Sequence, residues 1–158
     1  MSVKIMGIDT VRRELAELES LLASPKPIAG FVEDAKTEIL VKTALGKDFK
    51  NRSFESYSTG YAKRKKGMTA TGRPNLKVTG TMLGAITTRV ESPTHAVIDV
   101  APDAEGGGAN AQMLAQIHNT GTGKQPTREF MNLNNSQVAK LKKKHWDDPI
   151  LAIVRRYR

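Results

Sequence analysis

Three histidines, one glycine-rich tetrapeptide and two adjacent carboxylate pairs are the places in this chain where residue type and spacing invite a chemical reading. His95, His118 and His145 lie far apart, and none belongs to an H-x-x-x-H metal-ligand spacing. There is no cysteine, so no thiolate metal site or disulfide framework exists. Gly121-Thr122-Gly123-Lys124 looks superficially like a phosphate loop. It lacks the G-x-x-x-x-G-K-[ST] spacing, and Gln125-Pro126 stands where Ser or Thr is needed. Glu33-Asp34 and Asp147-Asp148 are neighbours in sequence, so on a helix they point about 100° apart and suit a solvated surface better than paired acid–base work. His118 is the best candidate base, for a small hydrolase. Its neighbours Asn119, Thr120 and Gly121 favour a turn in which it makes a loop-fixing hydrogen bond. Trp146 and Tyr157 lie among Lys and Arg. They could stack on single-stranded bases, but anchoring the last helix to the body or to a neighbouring subunit is the preferred reading. No catalysis, cofactor or metal is expected.

The elements that would position these residues follow from periodicity. Val3-Lys4-Ile5-Met6 suits a short strand. Asp9 or Thr10 can cap a helix in which Val11, Leu15, Leu18 and Leu22 share one face, with Arg12, Arg13, Glu17 and Glu19 largely outside it. Ser24-Pro25-Lys26-Pro27 ends it, and Pro27 can open a second helix. Ile28, Phe31, Val32, Ala35 and Ile39 carry this one to about Ala44, with Gly46 as terminator. Residues 1–46 are thus an N-terminal helical region, read as a hairpin or as a helix with an exposed arm. Residues 47–75 are polar and basic, an arm or loop with one or two helical turns near Tyr61. In 76–158, Thr79 and Gly80 lead into a short helix with Met82, Leu83 and Ile86 on one face. Thr87–Val90 and Ala96–Val100 pair as a hairpin about Ser92-Pro93-Thr94-His95. Gly106-Gly107-Gly108 marks a loop, and Met113, Leu114 and Ile117 follow at helical spacing. Asn134 or Asn135 caps a helix with Val138 and Leu141, and Asp147-Asp148-Pro149 opens a last one ending in Arg155, Arg156 and Arg158. The class is α+β: a small antiparallel sheet packed with helices, in one domain overall.

The chain has 158 residues, a net charge of +9 and only 5% aromatic residues. That aromatic content leaves room for cores completed by partner chains. No apolar run approaches the roughly 20 residues that span a bilayer, and the first residues lack the apolar stretch of a signal peptide. No membrane association is expected, and a soluble protein made in a cytoplasm is the default. Lys140 to Arg158 holds seven basic and two acidic residues, +5 of the total, and Lys63-Arg64-Lys65-Lys66 is a second cluster. Such clusters favour polyanions through counterion release. The alternative function is therefore a basic nucleic-acid-binding protein.

Four short motifs in order narrow the reading. They are Tyr61, Arg64 and Lys65; Leu76, Thr79, Gly80, Met82, Ala85 and Ile86; Ile117, His118 and Gly121; and Pro126, Arg128, Phe130, Met131 and Leu133. With a basic C-terminal helix behind them, they resemble the virion morphogenesis, or tail-completion, proteins of Mu-like tailed phages and related head–tail joining proteins. Met82 and Met131 replace the usual leucines, and the glycine run is a departure. The resemblance implies a structural virion protein, a homo-oligomeric ring at the head–tail neck or tail end, with a hexamer favoured. It implies neighbouring neck, connector or tail-tube proteins and genomic double-stranded DNA in the lumen. On that basis Tyr61, Arg64, Arg128, Phe130 and Trp146 are expected at subunit or partner contacts. Lys63, Lys65, Lys66, Lys142 and Lys143 are expected to face DNA.

Overall fold

Helix α2 (Lys26–Ala44) is the element on which the rest is assembled. Pro27 sits in its first turn, where the missing N–H costs nothing, and Gly46 beyond its end takes φ 72°. Val32, Ala35 and Ile39 are buried, as their spacing predicts. The computed structural model describes residues 7–69, 74–77, 80–101, 105–106, 109–122 and 125–157. The expected strand at Val3–Met6, the Thr79 cap, Gly107, Gly108, Gly123, Lys124 and Arg158 lie outside the described residues.

One side of α2 carries an antiparallel hairpin of β1 (Ile86–Ser92) and β2 (His95–Val100), the predicted α+β arrangement. Ile86 pairs with Val100 and Arg89 with Val97, and the register shifts between Val90 and Ser92 beside the Pro93-Thr94 turn. Ile86 and Val100 point into a core shared with Ile39, Phe54, Leu76, Met82, Ala85, Ala111, Ala115 and Phe130. A single-turn helix α4 (Thr81–Gly84) delivers the chain into β1. Its preceding Gly80 has φ 92°, a left-handed conformation that favours glycine. A short second ladder, β3 (Glu105–Gly106) with β4 (Ala109–Asn110), leads into α5 (Ala111–Thr120).

Two stretches depart from expectation by being more ordered. The polar arm is drawn into the body: Lys47 bridges to Ser53, and Phe54 is buried with its N–H on the Gly46 carbonyl at 2.7 Å. The arm then forms α3 (Thr59–Thr69), longer than the one or two turns its composition suggests. Helix α5 continues past Ile117 through His118, Asn119 and Thr120, so His118 is helical and not in a turn. Gly121, at φ 74°, ends the helix. Ala111 and Ala115 face the core while Met113 is half exposed, because two small side chains let this helix sit close.

The C-terminal segment is one helix, not two. Helix α6 (Asn135–Lys142) starts from a capping box in which Asn134 Oδ1 and Gln137 Oε1 accept each other's backbone N–H. It passes through a π-helical turn, Lys143–Asp147, into α7 (Asp148–Arg156). Pro149 has no N–H and its ring crowds the preceding turn, which the widened π turn accommodates. Asp147 and Asp148 therefore sit mid-helix, away from any free N-terminus. They pair with Lys142 (3.6 Å) and Lys143 (2.5 Å), each five residues earlier, the repeat of a π turn. Gly30 of α2 lies against this turn. A Cβ there would come within 2.6 Å of the His145 ring.

Helix α1 (Ile8–Ala23) turns most of its apolar face outward. Neither Asp9 nor Thr10 caps it; Gly7, at φ 99°, precedes it. Val11, Leu15 and Leu22, three of the four residues read as sharing one face, are 52%, 58% and 56% exposed. A different face, with Thr10, Glu14, Glu17 and Leu21 half-buried, turns toward α7. There Glu17 accepts hydrogen bonds from Arg156 (3.0 Å) and from the Tyr157 hydroxyl.

Candidate functional site

Residues from all four sequence motifs meet where α3, α5 and the Pro126–Leu133 segment join, around a residue the motifs do not include, Tyr57. The Arg128 guanidinium lies 4.8 Å and the Lys65 ammonium 4.9 Å from the Tyr57 ring centroid, and Tyr61 packs on it edge-on at 4.7 Å. Cations near an aromatic ring are attracted by its quadrupole, more strongly when desolvated. Both cations are 1% exposed. Lys65 Nζ donates to Asn75 Oδ1 at 2.6 Å, and Arg128 Nη2 to the Glu55 carbonyl at 3.1 Å. Arg128 Nε and Nη1 and His118 Nδ1 are buried without a hydrogen-bond partner among the described residues. Burial, then the nearby Arg128, hold Lys65 below the usual lysine range. Burial, then Arg128 and Lys65, hold His118 below its ordinary 6.5, so its imidazole is neutral at pH 7. The Tyr57 hydroxyl is pushed up, chiefly by burial.

The segment carrying Arg128 and Phe130 is latched to the last turn of α5. Asn119 Oδ1 accepts from the N–H groups of Phe130 and Met131, both at 3.1 Å. The His118 carbonyl accepts from Arg128 N at 2.7 Å, and Thr127 Oγ1 donates to the Thr120 carbonyl at 3.1 Å. Asn119, not the His118 side chain, fixes the loop. Next to Asn75, Leu76 is buried with φ 54°, uncommon for a non-glycine residue. A base needs a nucleophile within reach and a group to orient it. The His118 ring has neither in hydrogen-bond contact among the described residues. Among those residues no group of three or more His, Asp or Glu could hold a metal ion. No described helix is long and apolar enough to cross a membrane.

Several expected surface residues are placed otherwise. Arg128 and Phe130, expected at a subunit contact, are 1% and 2% exposed and belong to the interior. Lys65, expected to face DNA, points into the cluster because the neighbouring tyrosines and Asn75 hold it there. Trp146 is half-buried against Phe31 of α2, with ring centroids 5.5 Å apart, so it anchors the π turn within the chain. Tyr61 is half-buried between Tyr57 and Arg64, whose guanidinium lies 5.0 Å from its ring. Lys63, Arg64 and Lys66 are exposed on α3. Lys142 and Lys143 are exposed but ion-paired as described.

The basic C-terminal segment is neutralised further from α2. Lys140 pairs with Glu38 at 3.1 Å, and Lys144 and His145 share Asp34 at 2.6 and 2.7 Å. Hydrogen bonds from Lys144 and His145 hold the Asp34 carboxyl below the ordinary carboxylate range. Those from Lys140 and Gln137 do the same for Glu38. A groove of about 540 Å³ between α1, α2 and α7 is lined by Glu17, Leu21, Lys26, His145 and Ile153, among others. Its walls mix both charges with apolar side chains, which defines no reaction chemistry. Tyr57 and Asn119 could not be singled out beforehand, because their roles depend on contacts with segments distant in sequence. No protein-family model, curated protein or solved structure matches this chain.

Proposed function

We propose that this chain is a structural virion protein of a tailed phage, a ring-forming subunit of the head–tail neck or of tail completion, with no catalytic role. One observation carries the reading: residues from the four resemblance motifs, scattered between Tyr61 and Leu133, are neighbours in or beside one buried cluster and core. Spacing that served only local turns would not bring them together. The exposed apolar residues Val11, Leu15, Leu22, Leu45 and Leu151 agree with a subunit whose surfaces are completed by neighbours. In this reading the chain forms a homo-oligomeric ring, a hexamer by resemblance, between neck, connector or tail-tube proteins. Lys63 and Lys66 are the basic residues best placed to meet DNA in the lumen, since Lys65 is buried and Lys142 and Lys143 are ion-paired. Contact with sliding DNA must be weak and independent of sequence.

The test is the mass and negative-stain appearance of the pure protein, alone and with candidate neighbours, together with its presence in purified virions. Rings, and detection in virions, are expected. A protein that stays monomeric and is missing from virions would sink the proposal. A free nucleic-acid-binding protein would instead bind DNA tightly near physiological salt without any virion partner.

A further inference from the structure

We infer that α1 is a self-association surface whose occupant is α1 of a second copy of this chain, packed antiparallel. The inference does not depend on the virion reading. Ile8, Val11, Leu15, Leu18 and Leu22 are spaced three, four, three and four residues apart, the a and d positions of a heptad repeat. At about 100° per residue their stripe lies roughly 110° around the helix from the face turned to α7. Ile8, Val11, Leu15 and Leu22 are 44%, 52%, 58% and 56% exposed. No described residue covers these four side chains, and Leu18, at the stripe's edge nearest α7, is half-buried.

The charges beside the stripe select the occupant and its direction. In the heptad frame Arg12 and Glu19 are the e positions and Glu14 and Leu21 the g positions. Arg12 and Glu19 are exposed, and neither makes an ion pair or side-chain hydrogen bond with a described residue. A parallel pair would set Glu14 of each copy against Glu19 of the other, two repulsions. An antiparallel pair sets e against e. Aligned with Leu15 opposite Leu18 of the second copy and Val11 opposite Leu22, Arg12 of each copy meets Glu19 of the other. Both unpaired charges then find opposite partners. Shifting the alignment so that Leu15 meets Val11 would set Arg12 against Arg12. The contact is isologous, the same patch on both copies, so it makes dimers or joins two assemblies and does not propagate. Helices of 16 residues bury less than the ~1,200 Å² of a stable interface. The dimer should accordingly dissociate on dilution through the micromolar range.

Sedimentation equilibrium across protein concentration tests this, with circular dichroism to verify folding. The wild type should show a reversible twofold rise in mass with concentration, starting from 17.3 kDa for a single chain or from the mass of a ring for an assembled one. Leu15→Glu places a charge on an already exposed position, so the fold should survive while association weakens at least tenfold. Arg12→Glu and Glu19→Arg should each weaken association roughly three- to tenfold, and the double variant Arg12→Glu/Glu19→Arg should restore it. A parallel pair predicts the opposite sign for Glu19→Arg, because Arg at 19 would then face Glu14. Three results overturn the inference: a wild type monomeric throughout, a dimer indifferent to Leu15→Glu, or a dimer strengthened by Glu19→Arg. Ring formation through other surfaces would survive Leu15→Glu, so failure here is distinguishable from failure of the virion reading.

Discussion

Gly30→Ala isolates one contact whose sign the structure dictates. Glycine inside an exposed helix costs about 0.5–1 kcal/mol relative to alanine, so at an unconstrained position the substitution would stabilise α2. Here the new Cβ would sit 2.6 Å from Cε1 and Nδ1 of His145. The ring cannot simply swing away, because Nε2 is held at 2.7 Å by Asp34 and the side chain is only 15% exposed. Inserting a methyl group into such a contact costs about 1–3 kcal/mol. The two effects leave a net loss of up to about 2.5 kcal/mol, which lowers the melting temperature by up to roughly 10 °C for a domain of this size. Urea unfolding followed by fluorescence is a suitable assay, since Trp146 is the chain's single tryptophan and adjoins the contact. In a His145→Ala background the clash is gone and Gly30→Ala should stabilise by up to about 1 kcal/mol. The reversal of sign is the signature of direct contact. A Gly30→Ala protein more stable than the wild type would refute the proposed close approach of α2 to the π turn.

Other expectations follow from the same geometry. Asn119→Ala leaves the buried N–H groups of Phe130 and Met131 without their acceptor, so a loss of about 2–4 kcal/mol in urea unfolding is expected, at about 1–2 kcal/mol per unsatisfied group. His118 has its folded pKa below 6.5, so the unfolded chain binds more protons between that depressed value and 6.5, and stability falls as pH drops through this window. The urea midpoint of the wild type should decline more steeply below about pH 6.5 than that of His118→Gln; parallel profiles would contradict the burial argument. For Asp34 the folded pKa is depressed from 3.8, so its contribution is present above that value and is lost as pH falls through the folded pKa. Asp34→Asn should therefore be less stable than the wild type at pH 7, with the gap closing in acid. Lys65→Met preserves stem volume without burying a charge, and should destabilise less than Lys65→Ala while leaving weak DNA binding unchanged. Lys63→Ala/Lys66→Ala should reduce any such binding and its salt dependence.

Local signals were legible in the sequence where one short-range interaction decides the outcome. Pro27 and Gly46 bound α2, Asn134 caps α6, and Thr87–Val90 and Ala96–Val100 flank the Ser92-Pro93-Thr94-His95 turn of the hairpin. The reading failed where a long-range contact overrides composition. Asn119, Thr120 and Gly121 look like a turn, yet docking of the Arg128 segment onto α5 keeps the first two helical. Asp147-Asp148-Pro149 looks like a helix start, yet a π turn absorbs the proline and the helix continues. Lys65 looks like part of a solvated basic run, yet Tyr57 and Asn75 bury it. The four ordered motifs marked the right neighbourhood but not its centre, because Tyr57 belongs to none of them.

Helix α1 shows what periodicity determines and what it leaves open. The three-four spacing of Val11, Leu15, Leu18 and Leu22 correctly gives a helix with one apolar face. Period fixes which residues share a face, but only another element can decide whether that face is covered within the chain. In α1 the polar ties decide: Glu17 accepts from Arg156 and from Tyr157, and rotating the helix to bury the leucines would break both. An exposed ion pair such as Arg156–Glu17 is worth about 0–1 kcal/mol. Burying an isobutyl side chain is worth about 1.5–3 kcal/mol. Rotation would also uncover Leu21, half-buried on the α7-facing side, so it trades one apolar contact for another; a monomer with this stripe in water still lies above the free energy of one whose stripe is covered. A second copy can remove that difference without breaking the Glu17 contacts, because the stripe and the α7-facing side occupy different parts of the helix surface.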